Sequence, residues 1–200
     1  MDKIALIDLD NTLCDWDAAM VHGLRQCLPK EYYSKIDTWM ADERRNRPDW
    51  VERLMSVIRT QAGWWLALKP LSLGMAIFDI VTSSQWNWEV NVLTKGPATK
   101  PAAWAEKVQW CSQHLGDVPV TVCADKSLVY GSILIDDYPP YNEQWLKHRP
   151  NGLCIVPAHY CNKDFEHPNV IRATFANLDL VIEALDLAWE RKDGEPLILP

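Results

Sequence analysis

Short aliphatic runs that end in a polar residue punctuate this chain. Ile4-Ala5-Leu6-Ile7 runs into Asp8, Val90-Asn91-Val92-Leu93 into Thr94, and Ile133-Leu134-Ile135 into Asp136. Runs this apolar, with little alternation, are expected of strands buried on both faces, as in a parallel sheet. Residues 118–123, 153–156 and 170–173 read as further short strands on the same grounds.

Between the runs the period changes. Residues 14–67 carry no strong strand but do carry helical stripes, such as Val51, Leu54, Met55 and Ile58 at i, i+3, i+4 and i+7. Arg44-Arg45-Asn46-Arg47-Pro48 interrupts this region, Pro48 with Asp49 opens the next helix, and Pro70 closes the segment. Residues 73–84 predict a helix leading into the second strand. Pro101 begins another, with Trp104, Val108, Cys111 and Leu115 along its apolar face and Gly116 as its stop. Residues 178–189 form an amphipathic helix, followed by a peripheral tail. Strands alternating with helices predict an α/β fold: a Rossmann-like parallel sheet flanked by helices, with an α-helical insert after the first strand. The expected division is a core of residues 1–14 and 72–200 and a helical insert of residues 15–71.

Two hundred residues suit such a core with a small insert. The net charge of −7 and pI near 5.2 argue against a polynucleotide-binding surface. They leave room for a small anionic substrate, because a few lysines and a metal can reverse the sign inside a pocket. No stretch is apolar and long enough to cross a bilayer, and nothing reads as a signal peptide. The six cysteines lack CxxC spacing, which predicts reduced thiols and a cytoplasmic location. His159, Cys161 and His167 match the spacing of no common zinc site.

Chemistry concentrates at the first strand end, in Asp8-Leu9-Asp10-Asn11-Thr12-Leu13. Carboxylates at i and i+2 of a strand end can aim into one pocket, where one serves as nucleophile and the other handles a proton. Two anions side by side are costly to desolvate without a cation, so the pair itself asks for a metal. The plainer alternative is an acidic helix cap.

That string resembles the first motif of the haloacid dehalogenase (HAD) superfamily of phosphotransferases. Three further pieces follow in the order of that family: Val90-Asn91-Val92-Leu93-Thr94 is similar to the second motif, Lys107 to the third, and Ser132-Ile133-Leu134-Ile135-Asp136-Asp137 to the fourth. The resemblance implies a HAD fold whose insert is a cap over the active site. It implies that Asp8 attacks phosphorus and forms an aspartyl-phosphate, while Asp10 protonates the leaving group and later activates water. It further implies a Mg2+ ion held by Asp8, the backbone carbonyl of Asp10, Asp136 and, less directly, Asp137. Thr94 would bind a phosphate oxygen, and Lys107 would neutralise the nucleophile and phosphate. Asp at position 10 points to hydrolysis, since ATPase members carry Thr there.

Within the superfamily the longest likeness is to the 5'(3')-deoxyribonucleotidases. Gly63-Trp64-Trp65-Leu66-Ala67-Leu68-Lys69-Pro70-Leu71 resembles their aromatic-pair segment, Ala105-Glu106-Lys107 their Glu-Lys helix, and Ala124-Asp125-Lys126 their Arg-Asp-Lys stretch. Two positions depart: Lys95-Gly96-Pro97 replaces the usual Ser and Pro after Thr94, and Ala124 replaces an Arg. A cation is thereby lost at one place and gained at Lys95. The implied substrate is a small-molecule nucleoside monophosphate, with Lys95 and Lys126 near the phosphate and Trp16 and Trp64 lining the base pocket. The other tryptophans of the eleven, Trp104, Trp110 and Trp189 among them, are read as core or interface. Neither a polynucleotide nor a membrane is an expected partner, and a homodimer is the candidate assembly. The competing readings are a HAD phosphatase for another small phosphoester, a non-catalytic nucleotide-binding HAD protein, and action on polynucleotide ends.

Overall fold

The computed structural model describes residues 3–41, 47–97, 100–192 and 194–199. The strands are β1 (Ile4–Ile7), β2 (Glu89–Lys95), β3 (Val120–Cys123), β4 (Ile133–Ile135), β5 (Leu153–Pro157) and β6 (Val170–Ala173). The helices are α1 (Trp16–Cys27), α2 (Tyr33–Ala41), α3 (Asp49–Ile58), α4 (Ser72–Val81), α5 (Pro101–Leu115), α6 (Pro139–His148) and α7 (Leu178–Glu190). All six strands pair in parallel in the order β3-β2-β1-β4-β5-β6. The chain works outward from β1 to β3 and then returns to β1's other side, which opens a crevice at the carboxyl ends of β1 and β4.

Side chains alternate across the sheet as the pleat requires. Ala5, Ile7, Val92, Ile133, Ile135 and Ile155 face a core shared with α4, α5 and α7. Leu6, Leu93, Leu134, Cys154 and Val156 face a smaller core closed by Trp145 and Leu146 of α6. A third core, built from Met20 and Leu24 of α1, Ile36, Trp39 and Met40 of α2, and Val51, Met55 and Ile58 of α3, lies within the helical segment between β1 and β2. The chain enters and leaves that segment side by side, through a bridge between Cys14 and Pro70 and a hydrogen bond from Asp15 N to Lys69 O.

The predicted strands are present, with residues 118 and 119 falling before β3. Pro48 stands at the N-cap of α3, whereas Arg44, Arg45 and Asn46 of the predicted break lie outside the described residues. Gly116 ends α5 at φ +73°, a conformation that suits glycine. The face of α5 differs from expectation. Its buried residues are Ala103, Lys107, Trp110 and Cys111, while Trp104 and Val108 are exposed. The helix is rotated so that Lys107 points inward, and Trp104 instead covers Gly96, donating its indole N–H to Pro97 O at 3.0 Å. α6 also carried no periodic signal, since Trp145 and Leu146 are its only large aliphatic or indole side chains in a polar run.

Candidate active site

The parallel register sets Ile7 opposite both Val92 and Ile135, so Asp8 and Asp136 leave neighbouring strands side by side. The ladder extends one step further through Asp8 N to Ile135 O at 2.8 Å and Asp136 N to Ile155 O at 3.2 Å. Carboxylate oxygens of Asp8, Asp136 and Asp137 lie within 4.8 Å of one another, all on buried residues. Backbone carbonyls are tied down around them: Asn142 Nδ2 donates to Asp136 O and Asn162 Nδ2 to Asp137 O, both at 2.9 Å. Thr12 Oγ1 accepts from Asp137 N at 3.1 Å.

Two buried lysines divide the acids between them. Lys126 Nζ sits 2.5 Å from Asp8 Oδ1 and 2.6 Å from Asp136 Oδ2. Lys107 Nζ sits 2.5 Å from Asp10 Oδ2, 3.0 Å from Thr94 Oγ1 and 2.8 Å from Lys95 O. The lysine that meets Asp8 is therefore Lys126, and Lys107 serves Asp10. No solvated helix lysine is buried like Lys107, whose residue is 0% exposed.

Burial dominates the electrostatics. It pushes the Asp136 carboxyl up to about 7, against the pull of Lys126 and with the help of Asp8. Burial, reinforced by Asp136 and Asp8, raises Asp137 well above the carboxylate range. Burial also raises Asp10, opposed chiefly by Lys107. Desolvation disfavours charge on Lys126 as well, but Asp136 and Asp8 outweigh it and hold the ammonium protonated. Three acids served at their cluster by one lysine, all offering hard oxygens, are a donor set that fits a hard divalent cation such as Mg2+. The carboxylate of Asp10 stands outside that cluster, against Lys107, and that of Asp137 stands within it.

The remaining predicted residues surround this centre. Lys95 ends β2, and its ammonium lies 5.3 Å from the Tyr141 ring, with Lys126 5.0 Å from the same ring. Lys95, Ala124, Lys126, Ser127 and Tyr141 line one open cavity of about 230 Å³. The site of the lost Arg and that of the gained Lys thus face the same space. Trp16 and Trp64, both half-buried, meet edge to face with centroids 5.9 Å apart and pack against both the sheet core and the helical core.

Some contributors carried a signal in sequence that went unassigned. Glu106 accepts from Gly63 N at 2.7 Å and Trp65 N at 3.1 Å, which pins the aromatic-pair loop to α5. Its neighbour Lys107 lies 4.3 Å from the Trp65 ring. Tyr141 had no local signal, because the lysines it meets, Lys95 and Lys126, are distant in sequence. None of the six cysteines forms a disulfide, and no helix among the described residues is long and apolar enough to cross a membrane.

Comparison with known proteins places these features in a wider group. Residues 2–183 match the family described as 5' nucleotidase, deoxy (pyrimidine), cytosolic type C protein. The human 5'(3')-deoxyribonucleotidase, cytosolic type, is 28% identical over 140 residues, which cover 66% of this chain and 69% of the human protein. Among solved structures, a haloacid dehalogenase-like hydrolase of Burkholderia xenovorans superposes with a TM-score of 0.54 at 16% identity, covering 96% of this chain and 99% of the other. The HAD-hydrolase YfnB of Bacillus subtilis, solved bound to magnesium, superposes with a TM-score of 0.56 at 13% identity, covering 91% and 99%. At such identities the structural likeness speaks for the fold, a HAD-type α/β sheet.

Proposed function

The chain belongs to the cytosolic type C 5' nucleotidase family, phosphomonoester hydrolases of HAD type, and on that premise we propose that it is a Mg2+-dependent phosphatase of (deoxy)ribonucleoside monophosphates working through an aspartyl-phosphate. The observation that carries this reading is the gathering of Asp8, Asp136 and Asp137 within 4.8 Å, with the Lys107–Asp10 pair beside them.

Asp8 attacks phosphorus, and the ester oxygen leaves with the proton held by Asp10. Burial favours that protonated carboxyl, while Lys107 stabilises the carboxylate left behind. Asp10 then takes a proton from the water that attacks the acyl phosphate, which restores Asp8 and releases phosphate. A divalent ion held by Asp8, Asp136 and Asp137 would supply neutralisation of the phosphoryl oxygens. Thr94 Oγ1 already accepts from Lys107, so its own hydrogen is free for a phosphate oxygen. Lys126 and Lys95 flank the cavity in which the remaining phosphate charge would lie. Residues 15–71 act as the cap, bringing Trp16 and Trp64 against the nucleobase.

The test is a Mg2+-supplemented screen of nucleoside 5'- and 3'-monophosphates beside sugar phosphates, run on the wild type and Asp8→Asn. Strong preference for substrates bearing a base, and turnover abolished in a variant that still folds, are the expected results. Equal rates on sugar phosphates would reject the nucleotide assignment, and unchanged turnover in Asp8→Asn would remove it as nucleophile.

A further inference from the structure

One cluster beside the acids shares only Asp137 with the residues proposed for hydrolysis. His159 follows β5, and Cys161 lies in the short turn Tyr160–Asn162. His159 Nδ1 is 3.1 Å from Cys161 Sγ and 3.7 Å from Asp137 Oδ2, and Cys161 Sγ is 3.9 Å from the same oxygen. A tetrahedral zinc ion with ordinary bond lengths to sulfur, nitrogen and oxygen sets its donors about 3.4–3.6 Å apart. The three atoms thus outline one face of such a tetrahedron to within about half an ångström.

Independent contacts orient the donors. His159 Nε2 is 3.1 Å from Asp17 Oδ2, the carboxylate–histidine arrangement that leaves Nδ1 with its lone pair towards Cys161. Asp17 is itself held by Asn11, which donates from Nδ2 to Asp17 Oδ1 and accepts from Asp17 N, each at 3.0 Å. Asn162, fully buried, pins the turn: it accepts from His159 N at 3.0 Å and donates to Asp137 O and Pro157 O at 2.9 and 2.8 Å. Asp137 Oδ1 faces the Thr12 hydroxyl at 3.3 Å, while Oδ2, on a side chain only 6% exposed, is the oxygen aimed at the cluster.

We propose that Asp137, His159 and Cys161 form a second metal site, selective for Zn2+ or a similar borderline ion over Mg2+. Nitrogen and sulfur donors give that selectivity, since Mg2+ takes hard oxygens. Binding replaces the thiol proton: the Cys161 S–H bond breaks, a sulfur–metal bond forms and one proton goes to solvent. Three protein donors leave a fourth position for water. Spacing along the chain conceals the site, because its third donor comes from another strand, and His167 instead accepts from Asn169 N.

The experiment is titration of the metal-stripped full chain with Co2+ as a spectroscopic probe, and with Zn2+ followed by elemental analysis, both in saturating Mg2+. The expected result is thiolate-to-cobalt charge-transfer absorption and one retained zinc, both lost in Cys161→Ser and His159→Gln and both kept in Asp8→Asn. Asp17→Asn should weaken zinc binding by about 10–100-fold. Cys161 is exposed, so the Ser variant leaves the cores intact, which thermal melts in Mg2+ verify. The proposal fails if the wild type retains no zinc, or if Cys161→Ser binds it with unchanged affinity and stoichiometry. Metal content and absorption are read here, so the outcome is independent of which phosphoester is hydrolysed.

Discussion

Lys107 and Lys126 show how far a buried charge is governed by its partner. Each ammonium is almost wholly removed from water and is offset by carboxylates at 2.5–2.6 Å. Removing one partner of such a pair costs about 3–5 kcal/mol when both groups are buried. Asp10 keeps 27% of its side chain exposed, which discounts that figure for the Lys107 pair. Lys107→Met should therefore fold with modest loss and lower kcat by about 10²–10⁴-fold, in line with an impaired acid–base group. The same substitution removes the main influence that lowers the Asp10 carboxyl, so the limb of the pH–rate profile belonging to Asp10 should move to higher pH. An unshifted profile would separate Lys107 from Asp10 in function. Lys107 can be singled out in the sequence as a candidate, but the acid it meets cannot. Helix periodicity puts a lysine on a face without saying which strand end that face meets.

At the scale of the element, α5 joins the catalytic core to the aromatic loop. Adjacent residues point to different tasks: Glu106 holds Gly63 N and Trp65 N, and Lys107 holds Asp10. Ala103, Lys107 and Trp110, spaced i, i+4 and i+7, make the buried stripe, with the Trp110 indole donating to Leu68 O at 2.7 Å. Counting apolar residues alone favoured the face through Trp104 and Val108. The polar demand of the site overrides that count, because an inward lysine with three partners replaces an apolar contact at little net cost. Glu106→Ala leaves two backbone donors of the 63–65 loop without their acceptor. It should lower stability by about 1–3 kcal/mol in denaturant titrations and raise KM for nucleotides more than it lowers kcat. A kcat loss with KM unchanged would show that the loop does not position substrate. α6 went unseen for a different reason: a helix anchored by one tryptophan and one leucine has too little apolar repeat to register.

For the molecule as a whole, the acids gathered at the crevice should make stability depend jointly on pH and divalent cation. Asp136, raised to about 7, with Asp137 and Asp10 also raised, keeps protons in the folded state that the unfolded chain has already released. Without a divalent ion, stability should therefore fall as pH rises from the ordinary carboxylate range through neutrality. The gain in Tm on adding Mg2+ should grow between about pH 5 and pH 8, since the ion binds the ionised acids. A gain that is constant over this range, measured by thermal shift, would place Mg2+ elsewhere. The sequence by itself determined the six apolar strands, the helical character of the segment after β1, the acids at the strand ends and the family they belong to. Those features are local: period, run length and residue order carry them without reference to any partner. Only the tertiary structure decided that Lys126 meets Asp8, that α5 turns Lys107 inward, and that Asp17, Asp137 and the His159–Cys161 turn converge from three separate stretches. Such encounters depend on strand register and helix rotation, which arise when the whole chain packs, and no short window of residues contains them.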